Sequence, residues 1–203
     1  EFTFDKVRII GNKAFYNCTN LQNVELPIVE KIGTSSFENV QSISTLNCDN
    51  LKSIGKNAFK NTGIISISLP TLNSLESGAF EKCSSLESIS MPTITGIPAN
   101  TFKDCIALSE INLTAVTTIG ANAFVNTSLK SVFFDRVTEV GNYAFKDAKL
   151  LEYAVFPETE NMGTGCFQGC TKLKYTYLIS LKELKANTFA NCPTLKSLWL
   201  PEI

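Results

Sequence analysis

The sequence predicts an α/β solenoid: a stack of short coils, each carrying one strand of a parallel sheet. Three observations carry that reading. Phe15, Phe37, Phe59, Phe80, Phe102, Phe124, Phe145, Phe167 and Phe189 follow one another at intervals of 22 or 21 residues. Each is followed by an aliphatic I-x-L segment, as in Val24-Glu25-Leu26 and Ile67-Ser68-Leu69. In five of the nine repeats a proline comes next (Pro27, Pro70, Pro92, Pro157 and Pro201). A fixed period of this length means that each repeat buries its apolar side against its neighbours alone.

Each element of the repeat has a physical reason. The pattern I-G-x-x-A-F-x-x-C-x-x-L-x-x-I-x-L-P reads in repeat one as Ile10, Gly11, Ala14, Phe15, Cys18, Leu21, Val24, Leu26 and Pro27. The I-x-L segment has period two and branched aliphatics, which predicts a strand. Proline cannot donate to a ladder and so marks the strand end. Glycine precedes A-F in six repeats (Gly11, Gly33, Gly55, Gly120, Gly141 and Gly163), which predicts a positive φ there. A-F-x-x-C is too short for a long helix and predicts one helical or 3₁₀ turn. The two 21-residue repeats lose a residue between Phe59 and Ile64 and between Phe124 and Leu129. That places the deletion in a connecting turn, where length changes are tolerated.

The pattern resembles the BspA-like, treponemal-type leucine-rich repeat, and the resemblance covers the whole chain. It implies a right-handed leucine-rich repeat superhelix, with the parallel sheet on the concave face and the short helical turns on the convex side. It also implies an extracellular or cell-surface setting, often in host-associated bacteria or protist parasites, and a role in adhesion and host-protein binding.

The unbroken repeat predicts one solenoid domain over residues 1–203, and a hydrophobic content of 44% suffices for a continuous core. The chain opens and closes within strand patterns, at Phe2–Gly11 and Leu198–Ile203, which predicts caps or further repeats outside it. No 18-residue apolar stretch occurs, so no membrane span is expected in this segment.

Catalysis finds little support. The chain contains no histidine, so neither a Ser-His-Asp nor a Cys-His arrangement can form. No carboxylate pair stands in an apolar setting that would split its pKa values. Gly163-Thr-Gly165-Cys-Phe-Gln-Gly169 lacks phosphate-loop spacing and sits on the ordinary repeat turn. No enzyme activity and no cofactor are expected. Cys18, Cys83, Cys105, Cys170 and Cys192 share one slot, which other repeats fill with Val40, Thr62, Thr127 and Ala148. The slot calls for a small residue, and each of the seven cysteines has a core explanation. Disulfides between adjacent copies, Cys83 with Cys105 or Cys170 with Cys192, stay open on distance grounds. Zinc is disfavoured, because CxxC and histidine are both missing. Sequons at Asn17, Asn112 and Asn126 matter only in a eukaryotic source.

The outward strand positions carry the functional expectation. Through five repeats they are polar: Asn23 and Glu25, Thr45 and Asn47, Ser66 and Ser68, Ser88 and Ser90, Glu110 and Asn112. They then become Ser131 and Phe133, Tyr153 and Val155, Tyr175 and Tyr177, Ser197 and Trp199. Phe133, Tyr153, Val155, Tyr175, Tyr177 and Trp199 therefore form the candidate ligand-binding patch, with Lys130, Lys174 and Lys196 as a polar rim. Two other readings remain: a cross-strand packing ladder, or a contact with missing repeats or another subunit. No Lys or Arg occupies these eighteen positions and the net charge is −1, which disfavours nucleic acid. A protein is the expected partner and a glycan the second. A structural spacer self-associating through open ends is the rival class.

Overall fold

The computed structural model describes residues 2–200; the Pro201 end signal and the last residues of the expected closing strand lie outside them. The chain is a parallel β-solenoid with an in-register first ladder formed by the I-x-L segments. Its strands are Phe2–Thr3, Val24–Glu25, Ser66–Ser68, Ser88–Ser90, Glu110–Asn112, Ser131–Phe133, Tyr153–Val155, Tyr175–Tyr177 and Ser197–Trp199. An isolated bridge, Glu25 with Asn47, represents the second coil. A second ladder occupies the segment just before the glycine position. Ile9–Ile10, Lys31–Ile32, Ser53–Ile54 and Ser74–Leu75 form one sheet. Gly96–Ile97, Thr118–Ile119, Glu139–Val140 and Asn161–Met162 form another. These strands are two residues long, too short for alternation to show in the sequence.

The second ladder is interrupted where Pro98 replaces the usual donor. Gly33, Gly55, Glu76, Gly120, Gly141 and Gly163 each donate an N–H to the coil before, as in Gly33 to Ile10 O at 2.9 Å. Proline has no N–H to give, and Leu75 and Gly96 accordingly fall in separate sheets.

Two expectations for the phenylalanine side are corrected. The A-F-x-x-C stretch is not a helix, and the described residues include no helical segment. It is a chain of tight turns whose N–H groups alternate in direction. Lys13, Phe15 and Asn17 donate to Thr34, Ser36 and Glu38 of the next coil at 2.9, 2.7 and 3.0 Å. Ala14, Tyr16 and Cys18 donate back within their own coil. Positive φ does not fall on the six glycines preceding A-F either. It falls on the residues two before and two after each phenylalanine, from Lys13 and Asn17 to Asn187 and Asn191. A left-handed residue every fourth position prevents helix propagation. The fifteen non-glycine members include nine Asn and two Asp, the side chains that best tolerate that conformation. All of the pre-A-F glycines but Gly11 serve close packing of coils instead. A Cβ on Gly120 would lie 2.5 Å from Ala99 N, and one on Gly163 2.4 Å from Asn142 N.

Between the three sides lies one contiguous apolar cluster. The phenylalanine rings run through it as an offset stack, with consecutive centroids 4.9 to 5.8 Å apart. Phe37 through Phe167 are fully buried, while Phe15 and Phe189 are partly covered. Burial of each ring stabilises the fold by roughly 1.5–3 kcal/mol.

The cysteine slot is more specific than small size. The Cys83, Cys105, Cys170 and Cys192 thiols donate to the carbonyls of Phe59, Phe80, Phe145 and Phe167 at 3.0 to 3.1 Å. All seven cysteines are free thiols. Burial pushes the Cys48 and Cys166 thiols up to about 12. Cys18 departs from the core reading: it is exposed, because the slot is roofed by a preceding coil's Phe carbonyl and none precedes it among the described residues.

Candidate binding face

Period-two alternation on a short strand sends the outer two side chains of each triplet to solvent and the middle one inward. The first ladder shows this in Ser66–Ser68, Ser88–Ser90, Ser131–Phe133, Tyr153–Val155 and Tyr175–Tyr177. Ile67, Ile89, Val132, Ala154 and Thr176 point into the core, while Ser66, Ser68, Phe133, Tyr153, Tyr175, Tyr177 and Trp199 are exposed. Parallel in-register pairing then stacks equivalent residues into rows. One row runs Ser131, Tyr153, Tyr175, Ser197, and the other Phe133, Val155, Tyr177, Trp199.

The structure brings all six candidate residues onto this one surface. The Tyr153 and Tyr175 rings stack at 5.4 Å and 13°. Tyr177 and Trp199 lie tilted at 6.4 Å. Phe133 and Trp199 are the most open, at 68% and 62% exposure, and Val155 is half-buried between Phe133 and Tyr177. Rings held on an ordered ladder lose little further conformational freedom when covered.

The rim is charged, and Lys174 in it is paired. Lys174 Nζ lies 2.7 Å from Glu152. The Lys174 hydrogen bond holds the Glu152 carboxyl below its ordinary value, and the same bond raises Lys174. Beneath the patch, the core departs from the repeat. Phe134 and Phe156 take the Leu position and pack against Phe145 at 6.4 and 5.6 Å. Ala154 accompanies Phe156 on the same strand face, a small residue beside a large one. The Thr176 hydroxyl is buried without a hydrogen-bond partner.

Sequence reasoning missed two interruptions of the first ladder. Strands Ser66–Ser68, Ser88–Ser90 and Glu110–Asn112 pair together, and Ser131–Phe133 begins a separate sheet. The other interruption lies between Asn47 and Ser66. Both immediately precede the strand of a 21-residue repeat, so the spacing of 21 was the available signal. A groove of about 640 Å³ runs over the polar strands and past the first gap. A cleft of about 700 Å³ occupies the second. A groove of about 930 Å³ follows the second ladder across the Pro98 interruption.

The comparisons with known proteins agree with this geometry. The BspA type leucine rich repeat region matches in six copies, over residues 8–124 and 95–202. A leucine-rich repeat protein from Bacteroides ovatus superposes over 98% of the chain with a TM-score of 0.70 and 25% identity; the chain spans 60% of that protein's length. A leucine rich cell surface protein of Faecalibacterium prausnitzii gives a TM-score of 0.65 at 23% identity, covering 97% of this chain and 71% of that one. A T. pallidum leucine-rich repeat protein gives 0.63 at 24% identity, covering 68% and 70%. The latter two likenesses concern the fold alone. No curated protein matches.

Proposed function

The chain belongs to the BspA-type leucine-rich repeat family, and from that premise we propose that it is a non-enzymatic binding module of a secreted or cell-surface protein. It recognises a protein ligand through the aromatic half of the first ladder and serves adhesion or host interaction. A glycan is the second ligand class, since rings beside hydroxyls suit sugar faces. The observation that carries this reading is the pair of in-register rows, with Phe133, Tyr153, Tyr175, Tyr177 and Trp199 exposed on one side of a rigid sheet. Tyr and Trp in such settings dominate binding energetics, and contiguous exposed apolar surface marks interaction sites.

The test is binding to arrays of extracellular-matrix proteins and of glycans. The wild type is compared with a Tyr175→Ala/Tyr177→Ser/Trp199→Ser variant, after sedimentation shows both to be folded monomers. Loss of binding in the variant alone is the expected result. Equal binding by both chains overturns the site. Absence of binding by either chain favours the rival spacer or self-assembly role.

A further inference from the structure

The second interruption of the first ladder is a built gap between two strand edges. The coils on either side stay in contact elsewhere: Phe102 and Phe124 stack at 5.3 Å, and Gly96–Ile97 pairs with Thr118–Ile119. Only the first ladder opens. Most Cα pairs between Glu110–Asn112 and Ser131–Phe133 stand more than 8 Å apart, where hydrogen-bonded neighbours sit about 4.8 Å apart. One added strand requires about twice that neighbour spacing.

The edges have lost their main-chain partners. In six other coils, Leu26, Leu69, Met91, Phe134, Phe156 and Leu178 donate across the ladder to the next coil, as in Met91 to Asn112 O at 2.9 Å. Leu113, the equivalent residue, has no such acceptor among the described residues, and neither do Lys130 and Ser131 on the facing edge. Cleft walls of this kind offer a ready template for pairing. The floor is apolar: partly exposed Ile111 lies over the buried Leu113, Val132 and Phe134. Glu110 and Asp135 line it as well, and the lining includes no Lys or Arg.

We propose that this cleft receives an extended segment of a partner polypeptide as an added parallel strand, with apolar residues on the floor alternating with basic residues beside Glu110 and Asp135. The inference deepens the protein-binding reading and rests on it. It assigns a second, sequence-reading contact next to the aromatic rows. Main-chain pairing supplies affinity there and the alternating side chains supply selectivity. The missing residue between Phe124 and Leu129 is what holds the cleft open.

The test is fluorescence anisotropy of a labelled Thr-Arg-Val-Thr-Val-Arg-Thr peptide. The wild type should bind it, and N-methylation of the peptide's two valine amides should abolish binding. Glu110→Gln/Asp135→Asn should weaken it about tenfold through lost charge-assisted contacts. An alanine inserted between Ser128 and Leu129 restores the 22-residue spacing and should eliminate binding. The Tyr175→Ala/Tyr177→Ser/Trp199→Ser variant should bind the peptide as the wild type does, which separates failure of the cleft from failure of the aromatic patch. No binding by the wild type, undiminished binding of the N-methylated peptide, or binding unaffected by Glu110→Gln/Asp135→Asn overturns the proposal.

Discussion

The polar strands Ser66–Ser68, Ser88–Ser90 and Glu110–Asn112 and the aromatic strands Ser131–Phe133, Tyr153–Val155, Tyr175–Tyr177 and Ser197–Trp199 share one backbone geometry and one phenylalanine stack. They differ in what they show to solvent. Serine and asparagine fill the outward positions of the first set, and rings fill those of the second. Since the same ladder forms with serines, the rings are not required by the coil. The core beneath responds to the same division. The polar set uses Ile67 with Leu69, and Ile89 with Met91. The aromatic set uses Val132 with Phe134, and Ala154 with Phe156. Volume shifts from one inward position to the other while the coil is kept.

The largest expected effect tests whether the two sets share one stabilising spine. Phe102→Ala and Phe145→Ala should each cost about 3–5 kcal/mol in urea denaturation. A cost below about 1 kcal/mol for either would separate the two regions energetically. The next effect is alkaline. The buried Cys48 and Cys166 thiols have folded values raised to about 12, from an ordinary value near 8.5. Their stabilising contribution is complete below the unfolded value and is lost as pH rises toward the folded one. Stability should therefore fall above about pH 9, by roughly 1.4 kcal/mol per pH unit for each thiol. A Cys48→Ala/Cys166→Ala variant should show a shallower decline. An identical decline would remove the thiols from the account.

Smaller changes sharpen the contrast further. Ala154→Ile should overpack against Phe156 and cost about 1–3 kcal/mol, whereas Ile89→Val on the polar set should cost about 0.5–1.5 kcal/mol. Equal costs, read from thermal midpoints, would contradict the volume exchange. Tyr175→Ser should cost no more than about 1 kcal/mol, the worth of one cross-strand pair. A loss of several kcal/mol would make the rings a packing ladder. Thr176→Val removes a buried hydroxyl without a partner and should stabilise the chain by about 1 kcal/mol.

Much of this was legible in the sequence because a 22-residue period repeats each constraint. The burial of the recurring phenylalanines, the I-x-L ladder and the outward rows followed from period and alternation alone. The left-handed positions were hidden because Lys13, Asn57 and Tyr143 occupy equivalent places with little chemical likeness. The glycines before A-F drew attention to the wrong residues, since their reason lies in the neighbouring coil. The second ladder was too short to show alternation. The cleft was written in the 21-residue spacings, but a missing residue does not reveal which side of a coil will open.

The account's central claim is that the aromatic half of the first ladder is where a partner protein docks. Trp199 is the chain's single tryptophan, so 5-fluorotryptophan labelling places one ¹⁹F reporter on that surface while the partner stays silent. The measurement is its D₂O-induced shift, first in the free chain and then on addition of each extracellular-matrix protein of the array. The account predicts a full solvent shift in the free chain, as the exposed ring requires, and its loss when a matrix protein binds. A matrix protein that binds while leaving the Trp199 resonance and its solvent shift unchanged would contradict it.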